Sequence, residues 1–171
     1  MSNIYYKSSK MMTKSIQSMI NILEKTKDFV STSGMSEQEI LASKLHPTMF
    51  DLKKQVQIVS DNAKGAMSRF AGIEIPKFED NEMTLDDLIN RLKKTIDFVN
   101  SIDKEQFENA KEQKIVLHYF GEKFQTAEDY LLDYAIPNFY FHLVTAYGIL
   151  RHIGMEVGKG DFIGGLNLQD L

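Results

Sequence analysis

Cysteine and tryptophan are absent from this chain of 171 residues, and proline occurs only three times. A chain without cysteine forms no disulfide, has no thiol nucleophile and holds neither an iron–sulfur cluster nor a cysteine-bound zinc ion. No apolar run approaches the ~20 residues of a membrane helix. The N-terminal stretch MSNIYYKSSKMMTKS has no apolar signal core. We therefore expect a cytoplasmic protein with no membrane partner.

The composition is that of an ordinary globular protein, with 43% hydrophobic and 26% charged residues. A chain of this length can bury one substantial hydrophobic core without the help of covalent cross-links. The net charge of −4 and the isoelectric point near 5.6 argue against a nucleic-acid partner, which requires a broad basic surface. We expect one domain over residues 1–165, followed by a short tail over residues 166–171.

Apolar residues recur every three or four positions in four long segments, a pattern that predicts amphipathic helices. The segments are Ser8–Val30, Pro47–Gly72, Thr84–Val99 and Thr126–Ile153. The spacing of capping residues supports the starts of the last two segments, since Asp87 follows Thr84 and Asp129 follows Thr126 by three residues. Ser36 and Glu39 form a capping box that predicts a short helix after the first long one.

A different pattern precedes the last long helix. Ile115, Leu117 and Tyr119 alternate with polar residues, and Gly121 allows a turn, so Lys114–Gln125 is predicted to form a short β-hairpin. The predicted fold is an all-α four-helix bundle with this hairpin before the last helix. Pro137 is expected to kink that helix, and the glycine-rich residues after it are expected to be irregular.

An amide and an imidazole, Asn138 and His142, lie one turn apart at the centre of the apolar face of the last helix. Buried polar groups need partners. One interpretation is that these two side chains satisfy each other or a backbone carbonyl released by Pro137. The other is a ligand or metal site.

The second long helix offers three polar side chains that could reach His142, namely Gln55, Gln57 and Asp61. Gln57 is a poor metal ligand and Asp61 a fair one. Gln57, Asp61 and Lys64 also fit a solvated face of that helix, so this alternative stays open.

Three stretches of the sequence resemble a known superfamily. PNFYFHLVTAYGILRHIG, Pro137–Gly154, resembles the last helix of the DinB/YfiT-like superfamily, and LKKQVQIVSDNAKGAMSRFAG, Leu52–Gly72, resembles its second helix. Together with DYLLDYAIPNFYFH they closely resemble one uncharacterised bacterial domain-of-unknown-function family within it, over Tyr5–Gly164. The resemblance implies an up-down-down-up bundle. Many members bind a divalent metal through three histidines, and some are thiol-dependent transferases or isomerases that use it.

Carried onto this chain, the resemblance implies a degenerate metal site. His142 takes the position of the second histidine on the last helix, Asn138 takes that of the first, and the histidine position on the second helix falls near Gln57. One imidazole with two amides is a weak ligand set for zinc or nickel. We therefore expect an uncharacterised DinB-like protein in which Gln57, Asp61, Asn138 and His142 line a small-molecule pocket.

Two other functions remain open at this point. One is a metal-dependent, thiol-dependent transferase that binds zinc or nickel through His142. The other is a non-enzymatic dimeric interaction module. The last helix has a second apolar face that either packs against a neighbouring helix or forms the interface of a homodimer. This face consists of Ile136, Phe139, Leu143, Tyr147 and Leu150.

Overall fold

Helices dominate the computed structural model, which describes residues 3–117, 119 and 121–169. The helices are α1 (Ile4–Ser33), α2 (Glu37–Ala42), α3 (Leu52–Ala71), α4 (Leu85–Ser101), α5 (Ala127–Asp129), α6 (Ile136–His152) and α7 (Lys159–Ile163). Two 3₁₀ turns, Lys104–Phe107 and Ala110–Glu112, lead into strands β1 (Lys114–Val116) and β2 (Phe124–Thr126). His118 and Phe120 of the predicted hairpin lie outside the described residues, as do residues 1–2 and 170–171.

Capping residues set the helix starts. The predicted boxes at Ser36 and Thr84 are confirmed, and the Thr126 hydroxyl accepts the Asp129 N–H. The predicted start of the second long helix at Pro47 is wrong. The Asp51 carboxylate accepts the Lys54 N–H at 2.8 Å, so the helix begins after Asp51.

Contacts between helices establish their directions. Near the start of α1, Tyr5 packs against Phe70 at the end of α3, and Lys10 donates to Asn100 at the end of α4. Helices α3 and α4 therefore end at the same end of the bundle and run parallel to each other. Side chains of α1 and α4 instead pair in opposite order, as in Lys27 with Asp86 and Lys10 with Asn100.

The last helix runs antiparallel to α3, because His142 pairs with Gln55 while the earlier Asn138 lines a cavity with the later Asn62. The bundle is therefore of the up-down-down-up type, and α3 lies between α4 and α6. The predicted all-α bundle with a short hairpin is confirmed, and β1 and β2 pair antiparallel. In the described part of the chain, no helix is both long and apolar enough to cross a membrane.

The expected disruption at Pro137 takes the form of a π turn, Tyr130–Ala135, between α5 and α6. Ile136 donates its N–H to the carbonyl of Leu131, five residues back. Pro137 has no N–H to donate and occupies the first turn of α6, where proline is tolerated. The wider turn therefore accommodates the proline, whose nitrogen cannot donate a helical hydrogen bond.

The C-terminal residues are more ordered than the sequence predicted, since α7 forms within them. The Phe162 ring packs edge-on against Tyr147 at 5.5 Å, and the Tyr147 hydroxyl donates to the Val157 carbonyl at 3.3 Å. This segment therefore returns to cover part of α6.

The second apolar face of the last helix is not a free surface. Phe139, Leu143 and Leu150 are at most 1% exposed within the single chain. A dimer interface on this face is therefore contradicted, because the face is already buried in the core and under the C-terminal segment. The packing alternative is confirmed, and the homodimer itself stays a prediction.

Candidate functional site

His142 points into the bundle, where it is 8% exposed, and its Nδ1 lies 2.6 Å from Oε1 of Gln55. The Gln55 amide nitrogen donates to the carbonyl of Phe50 at 3.2 Å, so the Gln55 oxygen accepts the Nδ1–H of His142. Burial lowers the pKa of the imidazole below its ordinary value of 6.5. His142 is thus neutral near pH 7, with its lone pair on Nε2.

Gln57 turns away from His142 towards α4. Its amide nitrogen donates to Glu82 at 2.7 Å, and the same carboxylate accepts from Nη1 of Arg91 at 2.8 Å. Gln57, Glu82 and Arg91 are all at most 6% exposed. Gln57 therefore belongs to a buried polar cluster on the opposite side of α3 and does not approach the predicted pocket.

Asp61 connects that cluster to the other side of α3. Its Oδ1 accepts from Nη2 of Arg91 at 2.7 Å and lies 3.1 Å from Nζ of Lys64. Burial on its own lowers the pKa of Arg91, but the hydrogen bond to Glu82 and the charge of Asp61 outweigh it, so the pKa is raised. Arg91 is therefore charged, and Asp61 is already neutralised by two cations.

A cavity of about 210 Å³ opens between α3 and the start of the last helix. Two of the four predicted site residues, Asp61 and Asn138, line it. Gln57 and His142 do not. The other lining residues are Ile58, Asn62, Arg69, Leu117, Tyr119, Tyr130 and Tyr134. Of the three degenerate metal positions the cavity thus includes only Asn138, and it extends along α3 towards Arg69.

Three tyrosines form one wall of this cavity. The rings of Tyr130 and Tyr134 stack at 5.7 Å, one turn apart in the π segment. Tyr119 reaches over from the hairpin region, and its hydroxyl donates a hydrogen bond to that of Tyr134. Burial raises the pKa of Tyr119 and of Tyr130. Tyr119 and Tyr130 therefore offer neutral hydroxyl groups, and all three rings offer aromatic surface.

The opposite wall contains an unsatisfied polar atom. The Asn62 Oδ1 is buried and has no hydrogen-bond partner among the described residues. An acceptor left without a donor costs about 1–3 kcal/mol. Asn62 lines the cavity, and a small turn of its amide towards the cavity would offer this oxygen to a ligand or water that supplies the missing donor.

The residues present do not fit the divalent metal that the resemblance implies. The predicted positions supply one imidazole nitrogen and neutral amides, while Asp61 is engaged by Arg91 and Lys64. Within residues 3–117, 119 and 121–169, no three acidic or histidine side chains come together as a metal site. Zinc and nickel sites in proteins are built from several imidazole, thiolate or carboxylate ligands.

Comparison with known proteins identifies the family. A family model described as a domain of unknown function, DUF1993, matches residues 4–163. The chain belongs to the DUF1993 family. A crystal structure described as a DinB family member protein from Shewanella denitrificans is 32% identical and superposes with a TM-score of 0.92. The match covers 98% of this chain and 96% of that one. No curated protein matches. The predicted DinB-like relationship of this DUF1993 domain is therefore confirmed.

Sequence reasoning missed Asn62 and Arg69, which belong to the polar part of the cavity lining. A usable signal was the spacing of Asp61, Gly65 and Arg69, which lie four residues apart along one line of α3. It also missed Arg91, whose signal was a charged residue among the apolar positions of α4.

Proposed function

We propose that this DUF1993 domain binds a small polar molecule without a metal ion. The binding site is the cavity between α3 and the π turn. The observation that carries this proposal is the unsatisfied Oδ1 of Asn62, a residue of the cavity wall. A ligand that donates a hydrogen bond to this atom recovers the desolvation cost of the orphan acceptor.

The π turn gives independent support. Short π segments inside α-helices are rare and frequently occur at functional sites. Here the segment carries Tyr130 and Tyr134 and is followed within one turn by Asn138, and all three line the cavity. The widened backbone thus places three functional groups on one wall.

Native mass spectrometry of untagged protein, before and after treatment with EDTA, tests the proposal. We expect a non-covalent small-molecule adduct that survives the chelator. Asn138→Leu fills the cavity with an apolar side chain and should remove the adduct. Asn21→Leu makes the same change at an exposed position of α1 and should leave the adduct in place.

Two results contradict the proposal. One is the absence of any adduct together with no response of cavity residues to a fragment library monitored by NMR. The other is stoichiometric zinc or nickel that disappears in His142→Ala, which would support the metal-dependent transferase instead.

We also propose a homodimer, through a different face from the one predicted. Phe141 and Val144 are 57% and 50% exposed on α6. Leu45, which lies before α3 and is 42% exposed, packs beside Gly148 of α6. Exposed apolar residues grouped in this way favour an interface.

Sedimentation of the purified protein and of Phe141→Lys tests the dimer. We expect the variant alone to sediment as a monomer near 19.6 kDa. Phe124→Lys, which changes an exposed phenylalanine on β2, serves as the control and should remain dimeric. A monomeric wild-type protein contradicts the proposal. Cytoplasmic localisation stays a prediction.

A further inference from the structure

Arg69 brings a positive charge to the cavity without a carboxylate partner among the described residues. Its guanidinium lies over the Tyr130 ring, 5.8 Å from the centroid, and folds back along α3 over Gly65. A Cβ at Gly65 would lie only 2.7 Å from Nη1 of Arg69. Glycine at this position therefore makes room for the guanidinium to turn towards Asn62.

Two residues with hydrogen-bond acceptors, Asp61 and Asn62, line the other part of the cavity. Asn62 Oδ1 lacks a donor, and Asp61 uses only Oδ1 for Arg91 and Lys64, so its Oδ2 keeps its capacity. Asn62 and Gly65 are separated by about 4.5 Å of helix rise. The guanidinium of Arg69 and the two acceptors of Asn62 and Asp61 thus lie close enough together for one small molecule to contact them.

The geometry points to a small carboxylic acid with an amino or hydroxyl group next to the carboxylate. The carboxylate accepts the paired N–H groups of Arg69, a contact that guanidinium geometry favours. The neighbouring N–H or O–H group donates to Asn62 Oδ1. The cavity of about 210 Å³ has the volume of roughly seven water molecules, which suits alanine or lactate. This inference rests on the proposed small-molecule function.

An NMR titration of ¹⁵N-labelled protein with four probes tests the inference. Lactate and alanine carry the carboxylate, while lactamide and alaninamide have nearly the same shape without it. We expect the acids to shift the amides of Asn62 and Arg69 and to bind roughly tenfold or more tightly than their amides. Alanine binding more tightly than lactate identifies Asp61 Oδ2 as a second partner. The reverse order identifies a hydroxy acid.

Arg69→Gln removes the charge and should weaken binding of the acids roughly tenfold or more. Arg151→Gln makes the same change at an exposed arginine at the end of α6 and should bind as the wild type does. Arg69→Lys keeps the charge without the fork and should bind with intermediate affinity. Circular dichroism confirms that each variant is folded.

The outcomes separate this inference from the proposed function. Acids and amides that shift the cavity residues equally, or an Arg69→Gln protein with unchanged affinity, overturn the carboxylate assignment and leave the pocket intact. If none of the four probes binds, the carboxylate assignment also fails. Native mass spectrometry then decides independently whether the cavity holds another ligand.

Discussion

The hydrogen bond between His142 and Gln55 predicts how the stability of the fold responds to substitution. Both side chains are buried, at 8% and 1% exposed. His142→Leu leaves Gln55 Oε1 without a donor and should cost about 1–3 kcal/mol. Gln55→Leu leaves the Nδ1–H unpaired at a similar cost. The double substitution removes both polar groups, so its cost should be smaller than the sum by about 1 kcal/mol or more.

The same pair predicts a dependence on pH. Burial holds the pKa of His142 below 6.5 in the folded state, so below that pH the unfolded chain binds a proton that the folded chain excludes. Stability is therefore full above the ordinary pKa and falls as pH drops towards the folded value. For this one group, the slope of the unfolding free energy against pH reaches at most ~1.4 kcal/mol per pH unit. His142→Leu should lose this component of the pH dependence.

Urea denaturation followed by circular dichroism, at about pH 7.5 and about pH 5.5 on either side of the ordinary histidine pKa, measures both effects. Strictly additive costs in the double-substitution cycle would show that the two side chains do not interact. An identical loss of stability on acidification in wild type and His142→Leu would refute the buried neutral imidazole.

Two further predictions concern the remainder of the fold. Glu82→Gln removes one of the three carboxylates that pair with buried Arg91, the others being Asp61 and Asp80, and should destabilise the protein by about 1–3 kcal/mol. Glu79→Gln changes an exposed side chain whose backbone carbonyl accepts a bond from Arg91 and should change stability by less than about 0.5 kcal/mol. Equal effects of the two substitutions in chemical denaturation would disprove the role of Glu82 in the buried cluster. Gly72 ends α3 with a φ of +68°, so Gly72→Ala should cost about 1–2 kcal/mol. Gly160 in α7 has a negative φ and open space around it, so Gly160→Ala should be tolerated. If calorimetry found Gly160→Ala to be the less stable variant, the role of the left-handed Gly72 in ending α3 would be contradicted.

The bundle was readable from the sequence because its helices carry local signals. The capping boxes at Ser36 and Thr84 and the apolar stripes identify α2, α4 and their neighbours. The start of α3 was not readable in the same way. Pro47 and Asp51 both suit a helix start, and only the hydrogen bond from Lys54 to Asp51 decides between them.

The candidate site was only partly readable, for a reason that lies in the position of α3. This helix is buried against α4 on one side and α6 on the other. Gln55 and Gln57 lie two residues apart and so point to different sides, and the apolar pattern does not say which side faces His142. The orphan oxygen of Asn62 and the course of Arg69 depend on tertiary contacts, which a linear pattern does not contain.

The π turn before Pro137 also fixes the rotational phase of everything that follows it. Deleting one residue from Tyr130–Ala135 would let the segment close as a regular α-helix and would rotate the preceding residues against α6 by about 100°. If α6 kept its place through its core contacts, Tyr130 would swing out of the cavity wall. If the tyrosines instead kept their places in the cavity wall, His142 would rotate away and lose its hydrogen bond to Gln55. The additional residue is therefore what allows one helix to serve the cavity and the buried imidazole at the same time.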